Sequence, residues 1–216
     1  MKLLKNTNSK SDQQGFTILE LMIATTVLAV ILLMVTVMIT GIGNLFYKGV
    51  TLSQTQDTTR AVADQLSQDI ELTRGAPTVP VGVVYVVGGV NQTFYATCIG
   101  TVRYSYVNNL EVGVDIKHAL WRDVLPSTGC TPVDLTTDLV ASDPGGTEML
   151  GNSMRLTSLT ITIPGGGSKL YPIQLSVAYG ASDLLTLTGY TTTCNGNVGD
   201  RFCSTDQITT AALQRL

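Results

Sequence analysis

Apolar and polar positions follow three patterns along this chain, one after another. Residues 21–40 contain no charged side chain, and a helix of twenty residues rises about 30 Å, the hydrocarbon thickness of a bilayer. Residues 43–74 place apolar side chains at helical spacing, and after Pro77 the alternation has a period of two. This order predicts an α+β protein in which a long helix precedes a mostly antiparallel β-sheet.

The second half of the predicted helix is amphipathic, so one face of it should pack on the sheet. The expected apolar stripe consists of Leu45, Leu52, Val62, Leu66 and Ile70. Arg74 followed by Gly75 and Pro77 is a typical helix end, with the basic residue in the last turn. We therefore expect the helix to continue to Arg74.

Valine-rich and alternating segments predict the strands of the sheet. They span residues 79–87, 94–99, 101–107, 112–116, 119–124, 156–163, 170–179 and 184–187. Turn signals separate several of them, including Gly88-Gly89, Asn108-Asn109 and the segment 164–168. Residues 126–146 are predicted to be a loop, and the tail after Gly189 is polar and has no predicted strand.

The leader of the chain indicates how the apolar segment would lie in a membrane. Residues 1–15 carry three lysines and one aspartate, so the positive-inside rule keeps this end in the cytoplasm and places the rest outside. A cleaved secretory signal fits less well, because its apolar region is shorter and ends at a small-residue site. A plain signal anchor is the simplest alternative.

Glu20 is the feature that a plain anchor does not explain. A carboxylate at the centre of a membrane helix costs about 2.5–3.5 kcal/mol, and less near the interface. The apolar run that follows holds no lysine, arginine or histidine to pair with it. A partner for Glu20 must therefore come from another part of the protein or from another molecule.

The residues Gly15-Phe16-Thr17-Ile18-Leu19-Glu20, followed by an uncharged run, closely resemble the class III signal of type IV pilins and type II secretion pseudopilins. The resemblance implies that a prepilin peptidase cuts after Gly15 and N-methylates Phe16. It also implies that Glu20, the fifth mature residue, is an assembly determinant. The expected parts are then a removed leader (1–15), a transmembrane and assembly helix (16–41), an amphipathic helix (42–75) and an extracytoplasmic β-rich domain (76–216).

Cleavage would supply the missing partner of Glu20. The new α-amine of Phe16 has an ordinary pKa of about 7.7–8.0, and methylation keeps its charge. Four residues of helix separate the two groups by about 6 Å, so an axially displaced neighbour could place its amine beside Glu20. At 4 Å this attraction is about 4 kcal/mol for an effective dielectric constant of 20, before desolvation is subtracted.

Composition and cysteines limit the remaining functions. The chain has 216 residues, a formal charge of −3 and 13% charged residues, and it has no basic cluster of the kind that binds nucleic acid. Four cysteines after a membrane segment fit an oxidising exterior and allow three pairings. The C-terminal loop resembles the disulfide-bounded loop of many pilins, which implies Cys194–Cys203 and leaves Cys98 for Cys130.

No catalytic, metal or cofactor site is predicted. His118 is the single histidine, and neither a nucleophile–base motif nor a zinc ligand spacing accompanies it. We expect His118 to be structural and Trp121 to lie in the core. Four acidic residues of a loop region were considered as calcium ligands, but their spacing does not fit an EF-hand. They are Asp134, Asp138, Asp143 and Glu148.

The sequence therefore predicts a filament subunit and not an enzyme. The pattern TVRYSYVNN followed by HALWRDV, and the lack of proline before Pro77, are similar to J/W-type minor pilins or pseudopilins. Expected partners are other pilin subunits, the prepilin peptidase, the pilus assembly platform and the membrane. The alternatives are a major pilin, a membrane-anchored binding module or adhesin that does not polymerise, and a tethered hydrolase.

Overall fold

The computed structural model describes residues 17–124, 129–142, 145–188, 191–196 and 199–215. The chain divides into two compact units, Met1–Gly43 and Asn44–Leu216. The predictions for the leader, Gly15 and Phe16 lie outside the described residues. The class is α+β, as predicted: one long helix precedes antiparallel sheets.

The long helix α1 is continuous from Ile18 to Leu72. It ends before Arg74, so our placement of Arg74 in the last turn is wrong. The C-terminal segment explains the earlier end. The side-chain amide of Gln214 donates to the carbonyl oxygens of Thr73 and Gly75 at 2.7 and 2.6 Å. These carbonyl groups thus obtain partners that a continued helix would otherwise have to provide.

The buried face of α1 is only partly the predicted one. Val62, Leu66 and Ile70 are fully buried, but Leu45 and Leu52 are 74% and 42% exposed, so that part of the prediction is wrong. The same face continues toward the N-terminus with the buried threonines Thr51, Thr55 and Thr59. The hydroxyl groups of Thr55 and Thr59 donate to the carbonyl oxygens four residues earlier, at 2.8 and 2.7 Å. Because these hydroxyl groups are satisfied within the helix, threonine can occupy buried positions here.

Five strands form the first sheet, in the spatial order β1-β2-β3-β4-β5 and antiparallel throughout. Their bounds are β1 Val81–Val87, β2 Val90–Ile99, β3 Val102–Tyr106, β4 Leu120–Val124 and β5 Thr147–Glu148. Gly88 and Gly89 join β1 to β2 with φ values of 58° and 82°. Both values lie in the left-handed region, as a two-residue hairpin of this kind requires.

The predicted strand at residues 112–116 is wrong. These residues form a tight turn, in which the amide of Gly113 donates to the carbonyl oxygen of Ile116 at 2.8 Å. The carboxylate of Asp115 accepts a hydrogen bond from the amide of Glu111 at 3.0 Å. Local side-chain to backbone bonds of this type compete with strand pairing. The alternating valines at 112 and 114 were therefore a misleading signal.

A second sheet has the order β10-β7-β6 and is also antiparallel. Its strands are β6 Met154–Ile161, β7 Leu170–Tyr179 and β10 Ser204–Leu213, and a separate two-stranded ribbon consists of β8 Leu185–Thr188 and β9 Thr191–Cys194. Sequence reasoning missed β9 and β10, because the polar tail showed no apolar alternation. A short helix, α2, spans Leu139–Ser142.

The core of the second unit lies where α1 meets the strands. Its largest fully buried side chains include Trp121, Tyr104 and Phe94, so the prediction for Trp121 is confirmed. Asp69 of α1 accepts hydrogen bonds from the Tyr104 hydroxyl at 2.5 Å and from Arg122 Nε at 2.8 Å. The amphipathic part of α1 therefore packs on β3 and β4.

Two further ion pairs are buried in this unit. Arg103 pairs with Asp123, and its guanidinium group also donates to the carbonyl oxygen of Thr131 at 2.9 Å. Arg155 pairs with Glu111 at 2.8 Å and donates to the carbonyl oxygen of Gly180 at 2.9 Å. Each guanidinium group has several acceptors, which offsets the cost of removing its charge from water.

Candidate functional site

The candidate site begins at the first turn of α1. Thr17 precedes the helix, and its Oγ1 accepts a hydrogen bond from the amide of Glu20 at 3.2 Å. Thr17-x-x-Glu20 is the spacing of a capping box, and a carboxylate in the first turn also suits the positive end of the helix dipole. Sequence reasoning missed this role of Thr17, although the spacing was visible in the sequence. Glu20 therefore has a local function in addition to any function between molecules.

The carboxylate of Glu20 is exposed and has no ion-pair or hydrogen-bond partner among the described residues. The sequence holds no charged residue from position 21 to position 47. In a medium of low dielectric constant an unpaired carboxylate is costly. The first turn of α1 therefore presents a negative charge that another molecule can neutralise.

The helix that follows is suited to an apolar environment. Its large apolar side chains between Ile18 and Ile42 are 45% to 82% exposed, and by length and composition α1 is able to cross a membrane. The hydroxyl groups of Thr25, Thr26 and Thr36 donate to carbonyl oxygens of the preceding turn at 3.0, 2.8 and 2.8 Å. These polar groups therefore need no water, as a lipid environment requires.

Comparison with protein families gives a match to the prokaryotic N-terminal methylation motif over residues 10–36. The chain carries the N-terminal signal of a type IV pilin-like prepilin. The prepilin motif implies processing by a prepilin peptidase and association with other pilin subunits. The order of a long apolar helix and antiparallel sheets is consistent with the pilin fold. Neither curated proteins nor solved structures give a match to the chain.

The matched motif covers the N-terminal part of the prepilin, residues 10–36. It gives no information about the β-rich second unit. Gly15 and Phe16 lie within the matched segment but outside the described residues. Glu20 lies within the matched segment and also within the described residues. The structure thus shows the surroundings of one of the three predicted N-terminal site residues.

The four cysteines form two disulfides, Cys98–Cys130 and Cys194–Cys203, which is the predicted pairing. Cys98 lies near the end of β2, so the first disulfide fixes the segment after Gly129 to the five-stranded sheet. The second disulfide joins the end of β9 to the residue before β10. Within the second unit, the loop that it closes contacts α1 through Arg201, which donates to the side chain of Asn44.

His118 and Trp121 are both buried, and their ring centroids lie 4.4 Å apart. His118 Nδ1 is 3.3 Å from a carboxylate oxygen of Glu148, and the amide of Leu139 donates to Nε2 at 3.4 Å. The histidine thus connects β4, β5 and α2. These contacts, with a carboxylate, a backbone amide and an aromatic ring, give His118 a structural role.

Two of the four loop carboxylates named as possible calcium ligands, Asp134 and Glu148, have other roles. Asp134 accepts hydrogen bonds from the amide and the hydroxyl of Thr136 at 3.0 and 2.6 Å. Glu148 accepts hydrogen bonds from the amides of Ala119, Leu120 and Leu150. The residues that the structure describes contain no group of three or more potential metal ligands, and Asp143 lies outside them. These contacts provide no support for a calcium site.

Proposed function

We propose that this prepilin is a minor pilin or pseudopilin of a type IV pilus or of a type II secretion-like filament. The observation that carries the proposal is the N-terminal part of α1: a matched methylation motif, an exposed apolar surface and an unpaired Glu20 coincide in one segment. A soluble protein would normally cover such a surface. A subunit that lies first in the bilayer and then packs against other subunits needs such an apolar surface in both environments.

Processing would change the charge at the start of α1. A cut after Gly15 releases the leader and makes Phe16 the methylated N-terminus, so a cation appears four residues before Glu20. Within one straight helix these two groups are about 6 Å apart along the axis. The amine of one subunit can therefore meet Glu20 of an axially displaced neighbour, and this pairing favours one register between otherwise uniform apolar helices.

Charge and cysteine content support the orientation and the location. The positive leader favours the cytoplasm, and the two disulfides of the second unit are typical of proteins outside it. The subunit would thus be a single-pass membrane protein whose β-rich domain faces outward. An assembly platform would then move it into an extracellular filament.

A minor role is favoured by two sequence features. No proline interrupts the helix before Pro77, and the segment from β3 to β4 is similar to J/W-type minor pilins. The number of copies per filament in sheared preparations separates a minor subunit from a major one. A few copies per filament support the proposal, and an abundance equal to that of the main subunit contradicts it.

Replacement of Gly15 by leucine tests the processing step. A bulky side chain before the scissile bond should prevent access of the peptidase, so the precursor should keep its full mass and lack an N-methylated Phe16. Mass spectrometry of the membrane fraction measures both.

The matched control is Gly41→Leu, a glycine in α1 where an added Cβ meets no atom within 4 Å. This variant should be processed normally. Normal cleavage of Gly15→Leu would contradict the peptidase assignment.

A further inference from the structure

A cavity of about 490 Å³ lies on the outer face of the three-stranded sheet, in the second unit. Its floor is formed by β6, β7 and β10, and Thr192 and Thr193 of β9 contribute to its wall. The core-facing side chains of β7, such as Ile173 and Leu175, are buried on the opposite face of the sheet. The volume lies within the usual range of small-molecule sites, about 300–1,000 Å³.

The floor of this cavity consists of two rows of neutral polar side chains. In the first row Ser158, Ser176 and Gln207 are direct cross-strand neighbours. In the second row Thr160 pairs with Gln174. Neighbouring strands lie about 4.8 Å apart, and side chains on one face recur about every 6.8 Å along a strand. The floor is therefore a grid of hydroxyl and carboxamide groups.

These side chains are available to a ligand. In the part of the chain that the structure describes, the side chains of Ser158, Gln174, Ser176 and Gln207 form no hydrogen bond with the protein. The neighbouring Thr157 differs, because its hydroxyl donates to the carbonyl oxygen of Ser176 at 3.0 Å. The grid thus offers both donors and acceptors that are not used by the fold.

The charge of the lining excludes several ligand classes. Asp206 is the one ionisable residue among the described residues that line the cavity, and lysine, arginine and aromatic residues are absent from that lining. A phosphate or nucleic acid needs cationic partners. An apolar ligand would leave the hydroxyl and amide groups without partners. The lining therefore favours a ligand that carries no negative charge and is rich in hydrogen-bonding groups.

We propose that this cavity binds a neutral carbohydrate through the Ser158–Ser176–Gln207 and Thr160–Gln174 rows. Sugar hydroxyl groups both donate and accept, so they match serine, threonine and glutamine side chains arranged in a grid. Because aromatic rings that stack on a sugar are absent from the described lining, the affinity depends on hydrogen bonds. We expect dissociation constants in the millimolar range.

Saturation-transfer difference NMR on the full chain tests this proposal. The protein is kept in micelles of a detergent without a sugar headgroup, and the probes are maltotriose, chitotriose and lactose at millimolar concentrations. At least one of these sugars should give a saturating signal, and inorganic phosphate should not displace it. The measurement does not depend on filament assembly.

Two variants locate the binding site. The double variant Gln174→Ala, Gln207→Ala removes one carboxamide from each row and should weaken binding at least tenfold. The control Thr209→Ala changes an exposed residue of the same sheet face outside the cavity lining, opposite Gln174, and should bind as the unchanged protein does. Circular dichroism verifies that both variants are folded.

Three results would overturn the proposal. The first is that none of the three sugars binds at tens of millimolar. The second is that the double variant, although folded, binds a sugar as tightly as the unchanged protein. The third is that an uncharged serine- and threonine-rich peptide, added as a further probe, binds in place of the sugars. This result would assign the cavity to protein recognition, whereas we expect the peptide not to bind.

Discussion

Glu20 shows how one residue can serve two structural purposes. Its amide donates to the hydroxyl oxygen of Thr17, a cap that stabilises the helix start by about 0.5–2 kcal/mol, and its carboxylate lies in the first turn of α1. The carboxylate itself stays unpaired among the described residues. Only the second property concerns other subunits, so a useful variant must separate the two.

Glu20→Gln makes this separation, because it keeps the backbone amide that donates to Thr17 and removes the negative charge of the side chain. We expect the variant to be inserted and cut normally. Its incorporation into filaments should fall at least tenfold, since the carboxylate that pairs with the amine of a neighbour is lost. Quantitative immunoblots of sheared filaments against the membrane fraction measure this change.

Glu71→Gln is the matched control. Glu71 is a surface carboxylate at the other end of α1, where it lies 3.3 Å from Arg215, and exposed pairs of this kind contribute little. Its incorporation should be unchanged. Equal incorporation of Glu20→Gln would remove the charge-pair argument and leave the prepilin assignment in place.

At the scale of single residues, the sequence was informative where a residue differed clearly from its neighbours in charge or size. Glu20 was visible because it precedes an uncharged run, and Trp121 because it is a large aromatic residue in a strand. The buried threonines of α1 were not predictable in this way. Whether a threonine hydroxyl turns back to its own helix or points to water depends on the surface that packs against it.

Among the elements, the loop closed by the Cys194–Cys203 disulfide contacts α1 within the second unit through Arg201 and Phe202. The hydroxyl of Thr51 donates to the carbonyl oxygen of Arg201 at 3.3 Å. The rings of Tyr47 and Phe202 lie 5.9 Å apart, and Arg201 donates to Asn44. The loop therefore holds the segment of α1 that begins the second unit.

Removal of the disulfide in the double variant Cys194→Ser, Cys203→Ser should loosen this segment. Closing a loop of this length stabilises the folded state by roughly 2–3 kcal/mol in the chain-entropy model. We expect faster hydrogen exchange of amides in residues 44–55, with little change in β1 to β4. Exchange measured by mass spectrometry on the detergent-solubilised chain tests this expectation.

The other disulfide provides the control. The double variant Cys98→Ser, Cys130→Ser opens a larger loop, worth about 4 kcal/mol in the same model, but Cys98 lies beside Thr78, after the C-terminal end of α1. Its exchange should increase around β2 and the segment after Gly129. Equal protection of residues 44–55 in both double variants would contradict the role assigned to the C-terminal loop.

Strand prediction succeeded where the alternation of residues reflected a buried face. The first six residues of β7 alternate between exposed and buried positions, and β1 alternates between exposed and half-buried ones. β10 alternates mainly threonine, glutamine and alanine, so its sequence does not distinguish a strand from a polar tail. Its pairing with β7 along ten residues is a tertiary property, and the cavity on the outer face was invisible for the same reason.

At the scale of the whole molecule, the buried tyrosines contribute to the response of stability to alkaline pH. Burial raises the pKa of Tyr104, and hydrogen bonding to Asp69 raises it further. Burial also raises the pKa of Tyr106. The unfolded chain releases these protons near pH 10, whereas the folded chain retains them to higher pH.

Titration of these tyrosines should therefore not change the free energy of unfolding below pH 10, and this free energy should decline as the pH rises above 10. Each one contributes a loss of up to about 1.4 kcal/mol per pH unit in that window. Tyr104→Phe should lower the free energy of unfolding at pH 7 by about 1.5–3 kcal/mol, because a hydrogen bond to a charged group is lost. It should also make the alkaline decline shallower.

Denaturant titrations of both proteins at pH 7 and at several values above pH 10 measure these effects. An alkaline slope that is the same with and without the Tyr104 hydroxyl would show that its proton is not held by the fold. Retention of full stability at pH 7 would show that the contact with Asp69 contributes nothing.

The threonine hydroxyls of the apolar part of α1 have a consequence for how a subunit changes surroundings. Since Thr25, Thr26 and Thr36 bond to their own helix, exchange of lipid for protein neighbours breaks none of these bonds. Under the proposed function, the main change when the subunit leaves the bilayer is that apolar contacts with lipid are replaced by apolar contacts with other subunits. Apart from the pairing of Glu20, such a step has no large free-energy difference in either direction, so a motor that pulls on the filament could return the subunit to the membrane by the same path.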